Sequence, residues 1–313
     1  MEQRSHSSAA VGFQPGIVRV TVLGTGLMGA PMAANLCGSG FDVCVWNRSR
    51  AKAEALAQHG ARVAETPSGA VQGAHVVILM LQDAQAVEAV LFEAGVANEL
   101  DRDALVIDMS SIPPAVARDH GRRLGQMGIA YLDAPVSGGT RGAAEATLAI
   151  MVGGASADLE RARPVFEALG RPTLVGPVGS GQLSKCVNQV IVGVTIGAVA
   201  EGILLAAAGG ADPAAVREAI RGGFAESRIL HEHGRRMIER DWKPGGMVHS
   251  EVKDMHTALR AVPSLNLPLT SLASGLYEDL LAAGFGEHDH SALLLALERM
   301  NAIEREDHDV SRG

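Results

Sequence analysis

Along the chain, short runs of β-branched and aliphatic residues alternate with stretches of helical periodicity. The pattern predicts a compact apolar strand over Ile17 to Leu23, a helix over Ala30 to Ser39 and a second strand over Phe41 to Trp46. Val76 to Leu81 and Ala104 to Asp108 repeat the strand signal, each after a helix-like segment. Strand, helix, strand in this rhythm predicts parallel pairing through right-handed crossovers. The fold class expected is therefore α/β, a doubly wound Rossmann-like domain, over 17–178.

Beyond 179 the pattern changes. Gln182 to Ala208 is a long Val, Ile, Ala and Leu stretch interrupted by Lys185, Asn188, Gln189, Thr195 and Glu201. It predicts a long buried helix, the spine of an all-α domain over 179–313. Asp212-Pro213 has the form of an N-cap followed by proline at the first helical position. Further helices are expected over Ala214 to Arg221, Val252 to Ala261, Leu269 to Ala283 and Ser291 to Ala302.

Composition supports two domains. A chain of 313 residues exceeds the comfortable size of one core, and 47% hydrophobic with 20% charged residues is ordinary globular usage. Aromatics are only 3%, so aliphatic and Ala packing must fill the interior. The net charge of −8 argues against nucleic acid or an anionic membrane as partner. No uninterrupted apolar run reaches about 18 residues, so no membrane span is expected. Residues 1–16 lack an apolar h-region and read as a disordered extension, which makes a cytoplasmic protein the expectation. Cys37, Cys44 and Cys186 lack metal-site spacing and suit reduced thiols.

Gly24-Thr25-Gly26-Leu27-Met28-Gly29 follows a predicted strand and opens a predicted helix. Gly24 would permit a tight turn, Gly26 a close approach of backbone to a pyrophosphate, and Gly29 close helix–strand packing. The helix N-terminus offers unpaired N–H donors to the anion. A nicotinamide dinucleotide is the cofactor implied, a purely structural glycine turn the bland alternative. At the end of the next strand stands Asn47-Arg48-Ser49-Arg50, where an acidic residue would bind ribose hydroxyls and repel a 2′-phosphate. The arginine fork favours NADP over NAD, unless Arg48 and Arg50 are ordinary solvated charges.

Two later segments carry chemistry. In Asp133-Ala-Pro-Val-Ser137-Gly138-Gly139, a hydroxyl and two unhindered amides could cradle a small carboxylate. In Gly179-Ser-Gly181-Gln-Leu-Ser-Lys185-Cys-Val-Asn188-Gln189, three polar groups open an apolar helix, with Lys185 and Gln189 on one face. A lysine entering such a helix is costly unless paired or used, although a snorkelling surface lysine is equally compatible with the spacing.

The three segments, in this order and at these separations, resemble the β-hydroxyacid dehydrogenases, the 3-hydroxyisobutyrate dehydrogenase-like family, from Ile17 to Asn301. Asn188-Gln189 departs from the paired asparagines of many members but is similar to the branch acting on tartronate semialdehyde. So are Arg221 to Ser227, Lys253-Asp254 and Asp289-His290-Ser291. The resemblance implies that Lys185 is the general acid in aldehyde reduction and the base in reverse. It implies that Ser137, Gly138 and Gly139 bind the substrate carboxylate, and that Asn188 and Gln189 orient the substrate hydroxyl or Lys185. Met80 and Leu81 would flank the dinucleotide, and Ser111 and Lys253 would contact it from opposite sides of a cleft. The expected reaction is reversible NADP(H)- or NAD(H)-dependent reduction of 2-hydroxy-3-oxopropanoate to D-glycerate, by a homodimer or homotetramer with substrate between the domains. Alternatives are another short semialdehyde or β-hydroxyacid such as 3-hydroxyisobutyrate, an imine reductase, or a non-catalytic cofactor-binding protein; Lys185 counts against the last two.

His288, Asp289 and His290 are spaced poorly for a metal site, so none is expected; Asp289 or Ser291 suits a helix cap. His231 and His233 read as surface histidines. Met237, Met247 and Met255 read as core or interface filling.

Overall fold

A computed structural model describes residues 12–303. The chain divides into two compact units after Lys185, where the sequence pattern placed the boundary after 178.

The first unit is built on one sheet. Its strands are β1 (Arg19–Leu23), β2 (Asp42–Trp46), β3 (Arg62–Val63), β4 (Val76–Leu79), β5 (Leu105–Asp108), β6 (Ala130–Asp133), β7 (Val136–Ser137), β8 (Leu148–Gly153) and β9 (Gly170–Gly176). The order is β3-β2-β1-β4-β5-β6-β8-β7, with β9 paired to β8. Strands β1 to β6 run parallel; β8 is antiparallel to β6 and β7. Strands β4 and β5 are buried along their whole length, as a sheet covered on both faces requires. Val76 and Ile78 pack into one core with Met32, Leu36 and Phe166, while Val77 and Leu79 pack into the other with Leu91 and Leu124. The covering helices are α1 (Gly29–Gly38), α2 (Arg50–Glu54), α3 (Pro67–Ala70), α4 (Ala84–Glu88), α5 (Pro114–Gln126), α6 (Gly139–Ala144) and α7 (Ser156–Glu167). Because β1 has β2 on one side and β4 on the other, the order reverses there, and a crevice is expected at the C-terminal ends of β1 and β4.

Helix α8 (Ser180–Ala208) leaves the first unit and becomes the spine of the second. Then follow α9 (Pro213–Ala219), α10 (Arg228–Glu239), α11 (Val248–Ala261), α12 (Pro268–Ala282) and α13 (Leu293–Met300). Ile196, Ala200 and Ile203 of α8 share a core with Met237, Val252, Met255, Tyr277 and Leu293. Asp212 caps α9 through Ala214 N–H, with Pro213 in the first turn. By length and composition α8 would suffice to cross a membrane, because its polar residues interrupt the apolar runs without lowering the average enough. Val187, Ile191 and Leu205 are exposed on it.

At the N-terminus two sequence expectations need correction. Ile17 is 77% exposed in a turn, and β1 begins at Arg19. Of the extension expected over 1–16, residues 1–11 lie outside the described residues, but Phe13 is part of the core. Its N–H donates to the Arg161 carbonyl and its ring lies under the Arg161 guanidinium. An aromatic ring that finds both an apolar bed and a cation outweighs the polar composition around it.

Candidate active site

The glycine turn separates three requirements that look alike in sequence. Gly24 has φ of +104°, and an added Cβ would stand 2.3 Å from the Met80 carbonyl oxygen, so both torsion and neighbouring strand demand glycine. At Gly29 a Cβ would meet the Gly24 carbonyl oxygen at 1.9 Å, the close helix–strand contact expected. At Gly26 no atom lies within 4 Å of an added Cβ. The fold itself does not need glycine there, and that fits a backbone kept bare for a ligand. The Thr25 hydroxyl is buried without a hydrogen-bond partner, a second feature suited to a bound polar group. The site thus fits a dinucleotide pyrophosphate at the start of α1.

Asn47 ties the end of β2 to the glycine turn. Its Oδ1 accepts from Thr25 N–H at 3.0 Å and its Nδ2 donates to the Ser49 carbonyl. Arg48 and Ser49 are exposed. Arg50 is paired with Glu54 at 2.7 Å, whereas Arg48 has no ion-pair partner among the described residues. Leu27 is exposed and Met28 half-buried at the turn into α1, and Met80 and Leu81 continue β4 across from it. Ser111 is half-buried at the end of β5.

Lys185 is half-buried, and its Nζ donates to the Val136 carbonyl at 3.0 Å. Val136 immediately precedes Ser137, so the ammonium stands beside the segment whose Gly138 and Gly139 have φ of +139° and +62°. Asp133 holds that helix in place. Its two carboxylate oxygens accept from Gly179 N–H at 2.7 Å and Gln182 N–H at 2.8 Å, so a strand residue caps the start of α8. Gly181 lets the helix settle on the sheet, since a Cβ would stand 2.4 Å from the Asp133 and Met151 carbonyl oxygens. Gln182 completes the clamp, accepting from Ile112 N–H and donating to the Ser110 carbonyl. Ser110 Oγ accepts from Leu81 N–H, and Ser110 N–H donates to Asp108. The edge formed by Met80 and Leu81 is thereby connected to the helix carrying Lys185. Burial pushes the Asp108 carboxyl up to about 7 and also raises Asp133, an effect the amides of Gly179 and Gln182 offset only in part.

In the second unit, Asn188 and Gln189 are hydrogen-bonded to each other, and Gln189 also donates to Glu251 on α11. Lys253 Nζ lies 3.2 Å from Asp254 Oδ1. Asp289 Oδ1 accepts from the N–H and Oγ of Ser291, the cap expected, while Oδ2 accepts from Gly245 and Gly246 N–H. His233 is not a surface residue: only 17% exposed, its Nδ1 stands 3.5 Å from Asp289. The reason is α10, a helix absent from the sequence expectations, whose inward side carries Leu230, Gly234 and Met237. His233, Asp289 and His290 bring ligand-type atoms within 4.8 Å of one another. Asp289 Oδ1 already holds an N–H and an O–H donor and Oδ2 two N–H donors, and Arg236 adds a cation at 3.5 Å, an arrangement built for a carboxylate hub.

Residues 19–193 match the model described as the NAD binding domain of 6-phosphogluconate dehydrogenase. Residues 179–297 match the NAD-binding model of NADP-dependent 3-hydroxyisobutyrate dehydrogenase. The chain is 43% identical to 2-hydroxy-3-oxopropionate reductase of Escherichia coli, covering 90% of this chain and 98% of the relative. The chain belongs to the β-hydroxyacid dehydrogenase family. As a β-hydroxyacid dehydrogenase it is an NAD(P)-dependent oxidoreductase acting on CH–OH groups. It is also similar to the NAD-dependent L-serine dehydrogenase of Pseudomonas aeruginosa, 36% identical over 88% of this chain and 96% of the relative. A solved Mycobacterium tuberculosis 3-hydroxyisobutyrate dehydrogenase, in a structure with L-serine, superimposes with a TM-score of 0.83. It is 34% identical and covers 90% of this chain and 99% of its own.

Several residues of this β-hydroxyacid dehydrogenase escaped sequence reasoning. Asp133 and Gln182 stand inside the motif segments, yet an Asp at a strand end gives no sign that it will cap a helix 46 residues later. Ser110 is one residue from the expected cofactor contact Ser111. Glu251, just before a predicted helix, carried no signal at all.

Proposed function

We propose that this chain reduces 2-hydroxy-3-oxopropanoate to D-glycerate, reversibly and with NADPH in preference to NADH. The observation that carries the reading is the Lys185 ammonium on the Val136 carbonyl, directly beside Ser137 to Gly139. A carboxylate cradled by the Ser137 hydroxyl and the bare backbone at Gly138 and Gly139 would bring a three-carbon substrate's aldehyde to the ammonium. Lys185 then donates a proton to the carbonyl oxygen as negative charge develops there, and takes it back in the oxidative direction. When bound, the nicotinamide supplies or accepts the hydride. Asn188 and Gln189 orient the substrate hydroxyl. The similarity to the Escherichia coli reductase supports this substrate. The exposed Val187, Ile191 and Leu205 support a homo-oligomer in which a second copy covers α8.

Steady-state comparison of tartronate semialdehyde, methylmalonate semialdehyde, succinic semialdehyde and, for oxidation, L-serine tests the assignment. Tartronate semialdehyde is expected to give the highest kcat/KM; a place among the slowest would overturn it.

A further inference from the structure

The buried Gln189 amide bridges two groups of the helical unit. Its Nε2 donates to Glu251 Oε2 at 2.9 Å, and its Oε1 accepts from Asn188 Nδ2 at 2.7 Å. Glu251 is 2% exposed, and His290 Nδ1 stands 3.4 Å from the same Oε2. The other oxygen, Oε1, is buried without a hydrogen-bond partner and abuts Gly193, where an added Cβ would stand 2.8 Å away. The His290 ring in turn packs edge-on against His233, centroids 4.7 Å apart, next to the Asp289 hub.

We propose that Glu251 is a positioning residue that fixes the hydrogen-bond polarity of the Asn188–Gln189 pair, so that Asn188 presents a carbonyl oxygen to a substrate hydroxyl. The proposal rests on reading Asn188 as a substrate-orienting residue. A carboxylate can only accept, whereas a glutamine amide has one accepting and one donating end. Gln189 must therefore turn its NH2 toward Glu251; the flipped amide would bring two oxygens together with no proton between them. That choice leaves Gln189 Oε1 facing Asn188, and only the Asn188 NH2 can meet it. Asn188 Oδ1 is thereby turned away from Gln189, as an acceptor suited to a hydroxyl. A neutral amide at position 251 would not impose this order, because it can satisfy Gln189 in either orientation. Glu251 thus selects for a hydrogen-bond donor on the substrate through two intervening amides.

A double-mutant cycle tests the chain of influence, using tartronate semialdehyde reduction as the assay. Glu251→Met is expected to lower kcat/KM about tenfold, the scale of one misdirected hydrogen bond, and Asn188→Ala at least as much. In the Asn188→Ala background, Glu251→Met should cost less than about twofold, because the group it acts through is gone. Equal losses in both backgrounds, or no loss on Glu251→Met while Asn188→Ala is crippled, would overturn the proposal. An unchanged kcat/KM in Asn188→Ala would instead sink the reading of Asn188 as a substrate residue. A measurement independent of turnover follows the side-chain NH2 resonances of Asn188 and Gln189 by NMR. Glu251→Met should move both pairs, and movement of the Gln189 pair alone overturns the relay to Asn188. If Glu251→Met is poorly folded, the isosteric Glu251→Gln replaces it and is expected to show the same coupling at smaller amplitude.

Discussion

The sheet unit and the helical unit each bury a carboxylate near candidate site residues, and they shift its pKa in opposite directions. Asp108 accepts from Ser110 N–H at 3.0 Å and from the Tyr131 hydroxyl at 3.3 Å, both neutral, and burial pushes its carboxyl up to about 7. Burial opposes ionisation of Asp289 as well. There the imidazoles of His233 and His290, the Ser291 hydroxyl and the Gly245 amide hold the carboxyl well below its usual range. Burial acts on both, and at Asp289 the added donors and neighbouring imidazoles outweigh it. The two units differ also in how they fix their functional groups. In the sheet unit side chains such as Asp133, Gln182 and Asn47 grip main-chain atoms beside bare glycines, whereas in the helical unit Asn188, Gln189 and Glu251 grip one another's side chains.

The largest expected effect tests whether the main-chain setting of Lys185 serves chemistry. Lys185→Ala should lower kcat by about 10²- to 10⁴-fold while dinucleotide affinity, read by fluorescence titration, stays nearly constant. Turnover close to that of the unmodified protein would reduce Lys185 to a structural lysine.

The two carboxylates should give pH dependences of opposite sign. Asp108 has its pKa raised from 3.8 to about 7 on folding, so between these values the folded chain holds a proton that the unfolded chain has lost. Stability from this group therefore falls as pH rises through that window, by at most about 4 kcal/mol, and is level above it. Asp108→Asn removes the effect: its Tm relative to the unmodified protein should improve from pH 5 to about pH 7 and level off above it. Asp289, with its pKa lowered, stabilises the fold above about pH 4 and loses that contribution on acidification. A constant Tm difference for Asp108→Asn across the range would break the contrast.

The glycines allow the sheet unit to be divided further. Gly29→Ala forces a Cβ onto the Gly24 carbonyl oxygen and should destabilise the fold by about 2–3 kcal/mol in chemical denaturation. Gly26→Ala meets no protein atom, so it should leave stability unchanged and weaken dinucleotide binding instead. Equal destabilisation by the two substitutions would show that Gly26 is not kept bare for a ligand.

The same division explains what the sequence could disclose. A strand, a glycine turn and a helix within about thirty residues lie in one stretch of chain, so the doubly wound unit, Gly24, Gly26 and Gly29 were legible there. The Ser137 to Gly139 and Lys185 segments were legible as motifs, but their meeting through Val136 was not, because it depends on where Asp133 and Gly181 seat a helix. Helix α10 went unread: its buried positions Leu230, Gly234 and Met237 include a glycine and are crowded by Arg, His and Glu. Missing it turned His233 into a surface residue. Glu251 was illegible for a different reason, since its partners Gln189 and His290 are 62 and 39 residues away.

The smallest expected effect concerns the rim of the sheet unit, where the main-chain principle gives way to an exposed side chain. Arg48 follows β2 beyond Asn47, whose neutral amide, engaged with Thr25 and Ser49, carries no charge to set against a 2′-phosphate. Arg50 is neutralised by Glu54. On the proposed preference for NADPH, that leaves Arg48 as the guanidinium to meet a 2′-phosphate, in a solvated setting where a single charge-assisted contact contributes about 1 kcal/mol. Arg48→Ala should therefore raise KM for NADPH about three- to tenfold and leave KM for NADH within twofold, an asymmetry that added salt should shrink. Equal changes for both cofactors would return Arg48 to an ordinary solvated charge, and would leave the hold of Asn47 on the glycine turn as the contact to test next at this strand end.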